Sequence, residues 1–237
     1  MESMEFTKLT APSMKELFAQ ELEGMILSGK LAVGDKLPPE REIAKSMQVS
    51  RGVVNAGILE LSRKGFLSIK PRVGTFIADY RRTGTSETLI SILNYNGGLL
   101  RSEEIKSILE IRLALSTLSL KLAIPQMSQD DIDLIRSYVE GIAKSETDKG
   151  ACEMAFHFHH ELAVLSGNML MPLIYYSFRE AVIMLWERFC YLHGREKLYT
   201  NTNTLFELIE KRDVEGAVHW TELTLENAIT GKDQIYY

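Results

Sequence analysis

The sequence predicts a mainly α protein, with an N-terminal winged helix-turn-helix and a C-terminal all-α bundle of six or seven helices. Three observations predict it. Residues 13–65 carry three apolar helical stripes, and only the brief turn "QV" separates the second from the third. Two short β-rich runs follow, "FLSIK" and "GTFIADY", joined by "PRV" as a hairpin. Beyond residue 88 every apolar period is helical and no strand pattern returns.

Each element has its own local signal. Ser13 and Glu16 in "SMKE" form a capping box, Leu17, Leu22, Met25 and Ile26 make the stripe, and Gly29 stops it. "LAVGDKLPP" is a turn-rich connector, and "PEREIAKSM" is a short helix with proline near its start. Ser50 caps a helix through "RGVVNAGILELSRK" that ends at Gly65. "RRTGTSET", residues 81–88, is polar and contains glycine, so it is expected as the linker between domains 1–80 and 89–237. Helices are then expected from Ser102 to Pro125, from Ser128 to about Lys144, across the histidine-rich segment to Ser166-Gly167-Asn168, and from Pro172 to Gly194. "TNTLFELIEKR" and "DVEGAVHWTELTLENAI" complete the set.

Composition narrows the function class. The chain has 237 residues, 45% hydrophobic and 25% charged, as in ordinary globular proteins. No apolar run approaches the roughly 18 residues of a membrane span, and the mixed, acidic "MESMEFTKLT" is no signal peptide. A cytoplasmic protein without membrane contact is expected. Cys152 and Cys190 have no framework or zinc-knuckle spacing and are expected as buried, idle thiols.

The net charge of −5 hides an asymmetry. Residues 41–82 hold nine basic side chains, Arg41, Lys45, Arg51, Arg63, Lys64, Lys70, Arg72, Arg81 and Arg82, against the three acids Glu42, Glu60 and Asp79. That excess permits contact with a phosphate backbone. A short helix, a tight turn and a second helix also suit a major groove. The second helix opens at Ser50-Arg51, so Arg51 can reach a guanine edge or a phosphate with two donors. Asn55, one turn on, can pair with adenine or a phosphate. Gly52 lets the backbone approach a duplex, whereas Gly57 is expected for close helix packing. Arg72 at the hairpin tip is available to a minor groove or phosphate.

Residues 26–77 closely resemble the winged helix of the GntR family of bacterial transcription regulators, through "SGKL", Gly34, "LPPEREIA", "VSR" and the wing "GTFI". The resemblance implies that Arg41, Ser50, Arg51, Asn55, Arg72 and Gly74 occupy DNA-contacting positions. The family usually has arginine where Asn55 stands. The remaining helices resemble the FCD-type ligand-sensing domain of the FadR-like branch, through "EIRLAL" from Glu110, "FHHELAVLSGN" and "LIEKRDVEGA".

"FHFHH" places His157, His159 and His160 within four positions. Ala155, Phe158, His159, Leu162, Leu165 and Ser166 share one helix face, so His159 points inward while His157 and His160 do not. Many members of that branch hold a divalent metal with an aspartate one turn before this histidine and two histidines from the last two helices. The corresponding positions here are Ala155, Thr202 and Thr224, and His219 falls on another face, so the resemblance implies no metal and no other cofactor. It also places Arg112 at the effector, which makes Arg112, His159, Thr202 and Thr224 the candidate ligand residues. An organic acid fits a buried arginine. An acyl-CoA is the other expectation, if Met169, Met171, Tyr175, Tyr176, Phe178, Met184, Trp186 and Phe189 line a greasy channel.

The expected function is a homodimeric, sequence-specific regulator of transcription whose grip on double-stranded operator DNA responds to a small-molecule effector. Two rivals stand beside it. One is a metal-dependent hydrolase built on His157, His159 and His160, against which no nucleophile–base or H-E-x-x-H pattern is found. The other is a winged-helix module for protein contacts.

Overall fold

The computed structural model describes residues 12–95 and 102–235; the N-terminal stretch read above for a signal peptide lies outside them. The chain divides into two compact units after Asn96.

In the first unit, α1 (Met14–Leu27) starts at the predicted capping box: the Ser13 N–H donates to Glu16 Oε2 at 2.7 Å and the Glu16 N–H to Ser13 Oγ at 3.2 Å. Its Phe18, Leu22 and Ile26 enter a core with Val54, Ile58 and Leu61 of α3 (Arg51–Arg63). Gly57 of α3 makes that approach possible, because a Cβ there would lie 2.2 Å from Phe18 Cδ1. Between them lies α2 (Glu40–Ser46), and the α2–α3 turn passes through Gln48 at φ 53°. The hairpin β1 (Leu67–Lys70) and β2 (Gly74–Ile77) is antiparallel, pairing Leu67 with Ile77 and Lys70 with Gly74.

Residues 81–88, expected as a linker, are mostly helical and bonded to the winged unit. They fall in α4 (Tyr80–Thr83) and at the start of α5 (Ser86–Asn94). Thr83 Oγ1 donates to the Gly65 carbonyl at 3.1 Å, Thr88 Oγ1 donates to the Lys64 carbonyl, and Arg63 pairs with Glu87. The polar composition that suggested a flexible spacer supplies these bonds to the end of α3.

The second unit contains seven α-helices among its described residues: α6 (Ser102–Ala123), α7 (Gln129–Lys144), α8 (Asp148–Leu165), α9 (Met171–Ser177), α10 (Arg179–His193), α11 (Arg195–Glu210) and α12 (Val214–Ile229). The single helix expected over 172–193 is broken at Phe178, which ends α9 and begins α10. Another begins earlier than expected, because Gly194, at φ 86°, lets α11 start at Arg195. Phe158, Leu162, Phe206 and Ile209 belong to the core joining α6, α7, α8 and α11. The α11–α12 turn is tied to the end of α6: Arg212 donates to the carbonyls of Ile124 and Met127, both at 2.7 Å. Among the described residues no helix is long and apolar enough to cross a membrane.

Candidate nucleic-acid interface and ligand cavity

The nine basic side chains of residues 41–82 sort into two groups. Arg63 pairs with Glu87, Lys64 with Glu23 at 2.6 Å, and Arg81 and Arg82 with Asp79 at 3.2 Å each. Of these, Arg63 and Lys64 also reach α5, through Glu87 and Ser91, whereas Arg81 and Arg82 pair locally at the start of α4. Arg41, Lys45, Arg51 and Arg72 are exposed and have no hydrogen bond or ion pair among the described residues. Lys70 lies over the Phe76 ring at 4.9 Å. The unengaged charge therefore sits on α2, on the first residue of α3 and on the hairpin tip.

Local structure fixes these positions. Ser50 is the N-cap of α3, its Oγ accepting the Val53 N–H at 3.2 Å, so Arg51 stands at the positive end of a 13-residue helix. Gly52 is exposed, and a Cβ there would meet nothing closer than Ser50 Oγ at 3.8 Å. Packing does not demand this glycine, unlike Gly57. Asn55 is exposed one turn on, with Nδ2 donating to Glu40 Oε1 of α2 at 3.3 Å. At the hairpin tip the Val73 N–H donates to the Lys70 carbonyl at 3.0 Å, closing a turn with Pro71 and Arg72 at its centre. Arg72 there has φ 64°, a conformation that ordinarily favours glycine. Gly74 has φ 139°, and a Cβ would come within 2.6 Å of Lys36 Cε, so glycine keeps the wing against the connector.

In the second unit Arg112, His159, Thr202 and Thr224 line one cavity of about 70 Å³, together with Ser116, Trp186, Trp220 and Thr221. The Arg112 guanidinium lies 4.2 Å over the Trp186 ring, and the His159 ring stacks on the same indole at 5.4 Å and 24°. Arg112 Nε, Ser116 Oγ and Tyr175 Oη are buried with no hydrogen-bond partner. Glu110, one candidate to neutralise Arg112, pairs with Lys106 at 3.8 Å instead. Burial, reinforced by the Arg112 charge, pushes the His159 pKa well below its ordinary value, so the ring is neutral. Burial raises the Tyr175 pKa, with Arg112 opposing, so the phenol keeps its proton.

The threonines are polarised by their own helices. Thr202 Oγ1 donates to the Leu198 carbonyl, Thr224 Oγ1 to the Trp220 carbonyl and Thr221 Oγ1 to the Ala217 carbonyl, each at 2.9 Å. With the hydroxyl proton committed, each oxygen faces the cavity as an acceptor. The arrangement thus offers a cation and spare hydroxyls on one side, and acceptors on the other.

The histidine triplet disperses. His157 is exposed and stacks on Tyr138 at 5.7 Å, while His160 Nε2 meets the Pro172 carbonyl at 3.2 Å. Among the described residues no group of three or more histidine, cysteine or acidic side chains is placed to hold a metal ion. The aromatic and methionine run likewise lines no channel. Trp186 and Phe189 reach the cavity, but Met169 is 86% and Tyr176 57% exposed, and Tyr175 and Phe178 border a smaller recess beside Arg112. Sequence reasoning missed Ser116, Trp220 and Thr221. Ser116 was within reach, standing one turn after Arg112 on α6.

Comparison with known proteins agrees with both units. Residues 15–77 match the family described as bacterial regulatory proteins, gntR family, and residues 107–227, half of the chain, match the FCD domain. The transcriptional regulator LutR of Bacillus subtilis is 31% identical over 148 residues, covering 62% of this chain and 65% of LutR, so the chain spans less than two thirds of that relative's length. The transcriptional repressor NanR of Escherichia coli is 26% identical over 180 residues, covering 74% of this chain and 66% of NanR. Among solved structures, Lar, described as controlling the agr system of Listeria monocytogenes, superposes with a TM-score of 0.63 over 94% of this chain and 98% of Lar, at 14% identity, which speaks to fold alone. These families are regulators and not enzymes, which removes the hydrolase reading of the histidines. With a gntR-type winged helix at one end and an FCD domain at the other, the chain belongs to the GntR family of bacterial regulators, consistent with its FadR-like branch.

Proposed function

We propose that the chain is a sequence-specific, homodimeric regulator of transcription that grips operator DNA with α3 and the wing, and that a small organic acid in the second unit changes that grip. The observation that carries the reading is the sorting of the cations. Arg41 of α2, Arg51 at the start of α3 and Arg72 at the wing tip have no ion pair among the described residues, whereas Arg63 at the end of α3 pairs with Glu87, and Arg81 and Arg82 of α4 pair with Asp79. Arg51, Asn55 and Gly52 meet base edges, Ser50 holds the helix start, and Arg41, Arg72 and the wing built on Gly74 meet the backbone. Two such helices read half-sites about 34 Å apart, which requires two copies of the chain.

The effector follows from the cavity's chemistry. Arg112 is half-buried, with its Nε unsatisfied and no carboxylate paired to it among the described residues, and such a guanidinium calls for an anion. The threonine acceptors call for a donor, so an acid that also carries a hydroxyl or amine satisfies both walls. About 70 Å³ holds only a handful of water-sized sites, at roughly 10–15 Å³ each, so the reading settles on a compact acid and leaves the acyl-CoA aside. The effector acts only through its different affinity for the DNA-competent and incompetent arrangements.

The test is selection of duplexes from a random oligonucleotide pool by the purified protein, followed by titration with small hydroxy, amino and plain carboxylic acids. Both tryptophans, Trp186 and Trp220, stand in the cavity wall, so intrinsic fluorescence reports occupancy. Enrichment of a two-fold symmetric site, weakened or strengthened by one of these acids, is expected. A pool that emerges without enrichment contradicts the reading.

A further inference from the structure

Cys152 and Cys190 stand 38 positions apart, and neither belongs to the cationic face or the cavity lining. The fold brings their sulfurs to 3.9 Å, with both side chains buried. Cys152 is in the second turn of α8 and Cys190 in the last turn of α10. One turn before Cys152, Asp148 approaches Arg195 at 4.0 Å, and both side chains are partly exposed, 53% and 37%.

The two thiols are unequal. The contact with Cys152 holds the Cys190 thiol below its usual pKa, and Arg195 assists; the same contact and burial push Cys152 up. Cys190 is therefore the sulfur from which attack would start, and Cys152, 3.9 Å away, is the partner placed to resolve it.

Both helices also build the cavity. His159 lies two turns beyond Cys152 on α8, Trp186 lies one turn before Cys190 on α10, and their rings are the stacked pair. We propose that Cys152 and Cys190 are a peroxide-convertible pair whose disulfide staples α8 to α10 and resets the cavity wall. The Cys190 thiolate attacks the peroxide oxygen, breaking the O–O bond and leaving a sulfenic acid and, after protonation, water. The Cys152 sulfur then displaces the sulfenic oxygen, which departs as a second water. The two thiols are oxidised and the peroxide is reduced. Closing the gap from 3.9 Å to the roughly 2.05 Å of an S–S bond draws α8 and α10 together beside the His159–Trp186 stack. This inference does not depend on which effector the cavity takes.

The test uses the full chain, folded and reduced, exposed to hydrogen peroxide. Peptide mapping without reductant should find Cys152 joined to Cys190, with both free thiols lost. Tryptophan emission should shift, and dithiothreitol should return it. In C152S the Cys190 sulfenic acid should persist and be captured by dimedone, with no emission shift; thermal unfolding of the reduced variant checks its fold. Should that variant not fold, the dithiothreitol reversal in the natural chain decides alone. Thiols that survive excess peroxide, or over-oxidation to sulfinic acid without a cross-link, would overturn the pair. A cross-link that leaves tryptophan emission unmoved would overturn its action on the cavity.

Discussion

The winged unit and the helical unit carry their candidate sites in opposite ways. In the first, the decisive groups are exposed and local in sequence: Arg41, Arg51 and Arg72 lie within residues 41–72, and none has an ion pair among the described residues. In the second, the decisive groups are partly or wholly buried and remote from one another in sequence. Arg112, His159, Thr202 and Thr224 come from four helices, α6, α8, α11 and α12, and meet only because the bundle closes around them. A surface site is set by residue type and cap position. A cavity is set by which helix faces converge, and by which polar atoms the convergence leaves unsatisfied.

This contrast can be broken at specific residues. The largest expected effect is that of Arg51→Ala on DNA binding. Losing a base-edge contact costs about 1–3 kcal/mol, some ten- to hundredfold in affinity, while thermal unfolding stays put because the side chain has no partner to lose. Titration of the selected duplex by fluorescence anisotropy measures it; equal affinity would remove Arg51 from the interface.

Next comes the pair of helix glycines. Gly57→Ala drives a methyl into Phe18, and overpacking of this kind costs about 1–3 kcal/mol of stability, read from denaturant unfolding of the winged unit. Gly52→Ala meets open space and should stabilise α3 by up to about 1 kcal/mol while weakening DNA binding. If both glycines behave alike, the distinction between packing and approach to DNA fails.

A smaller, pH-dependent effect belongs to the buried unit. Above the ordinary imidazole value of 6.5 His159 is neutral in both folded and unfolded chains, and contributes nothing to the slope. As pH falls below that value the unfolded chain takes up a proton that folded His159 refuses, so stability declines toward acid until the native pKa is passed. His159→Gln should flatten this part of the stability–pH curve relative to the natural chain.

Legibility followed the same divide. Capping at Ser13, Ser50 and Ser128, the hairpin around "PRV" and the stop at Gly65 all act within a few residues, and the structure repeats them. The break at Phe178 was hidden because "LIYYSFREAVIMLW" holds no glycine or proline to mark a stop and its apolar residues continue on both sides of the break. The linker was misread for a related reason: polar residues suit a spacer and equally suit hydrogen bonds to the carbonyls at the end of α3. Inward placement of His159 was legible from helix geometry, and the cavity positions of Arg112, Thr202 and Thr224 from family likeness. Their meeting with Trp220, and the approach of Cys152 to Cys190, were not, because they depend on contacts between distant segments.

The account's central claim is that the cations left free by the fold are the ones that meet DNA. The salt dependence of binding tests it most directly. Each phosphate contact contributes about 0.9 to the slope of log affinity against log salt concentration. Removing the free set together, Arg41, Arg51 and Arg72 to alanine, should lower that slope by about two per chain, the share of Arg41 and Arg72 on the backbone. Removing the engaged set, Arg63, Arg81 and Arg82, should leave it nearly unchanged, since those charges are already held by Glu87 and Asp79. Equal losses of slope in the two triple variants would contradict the account.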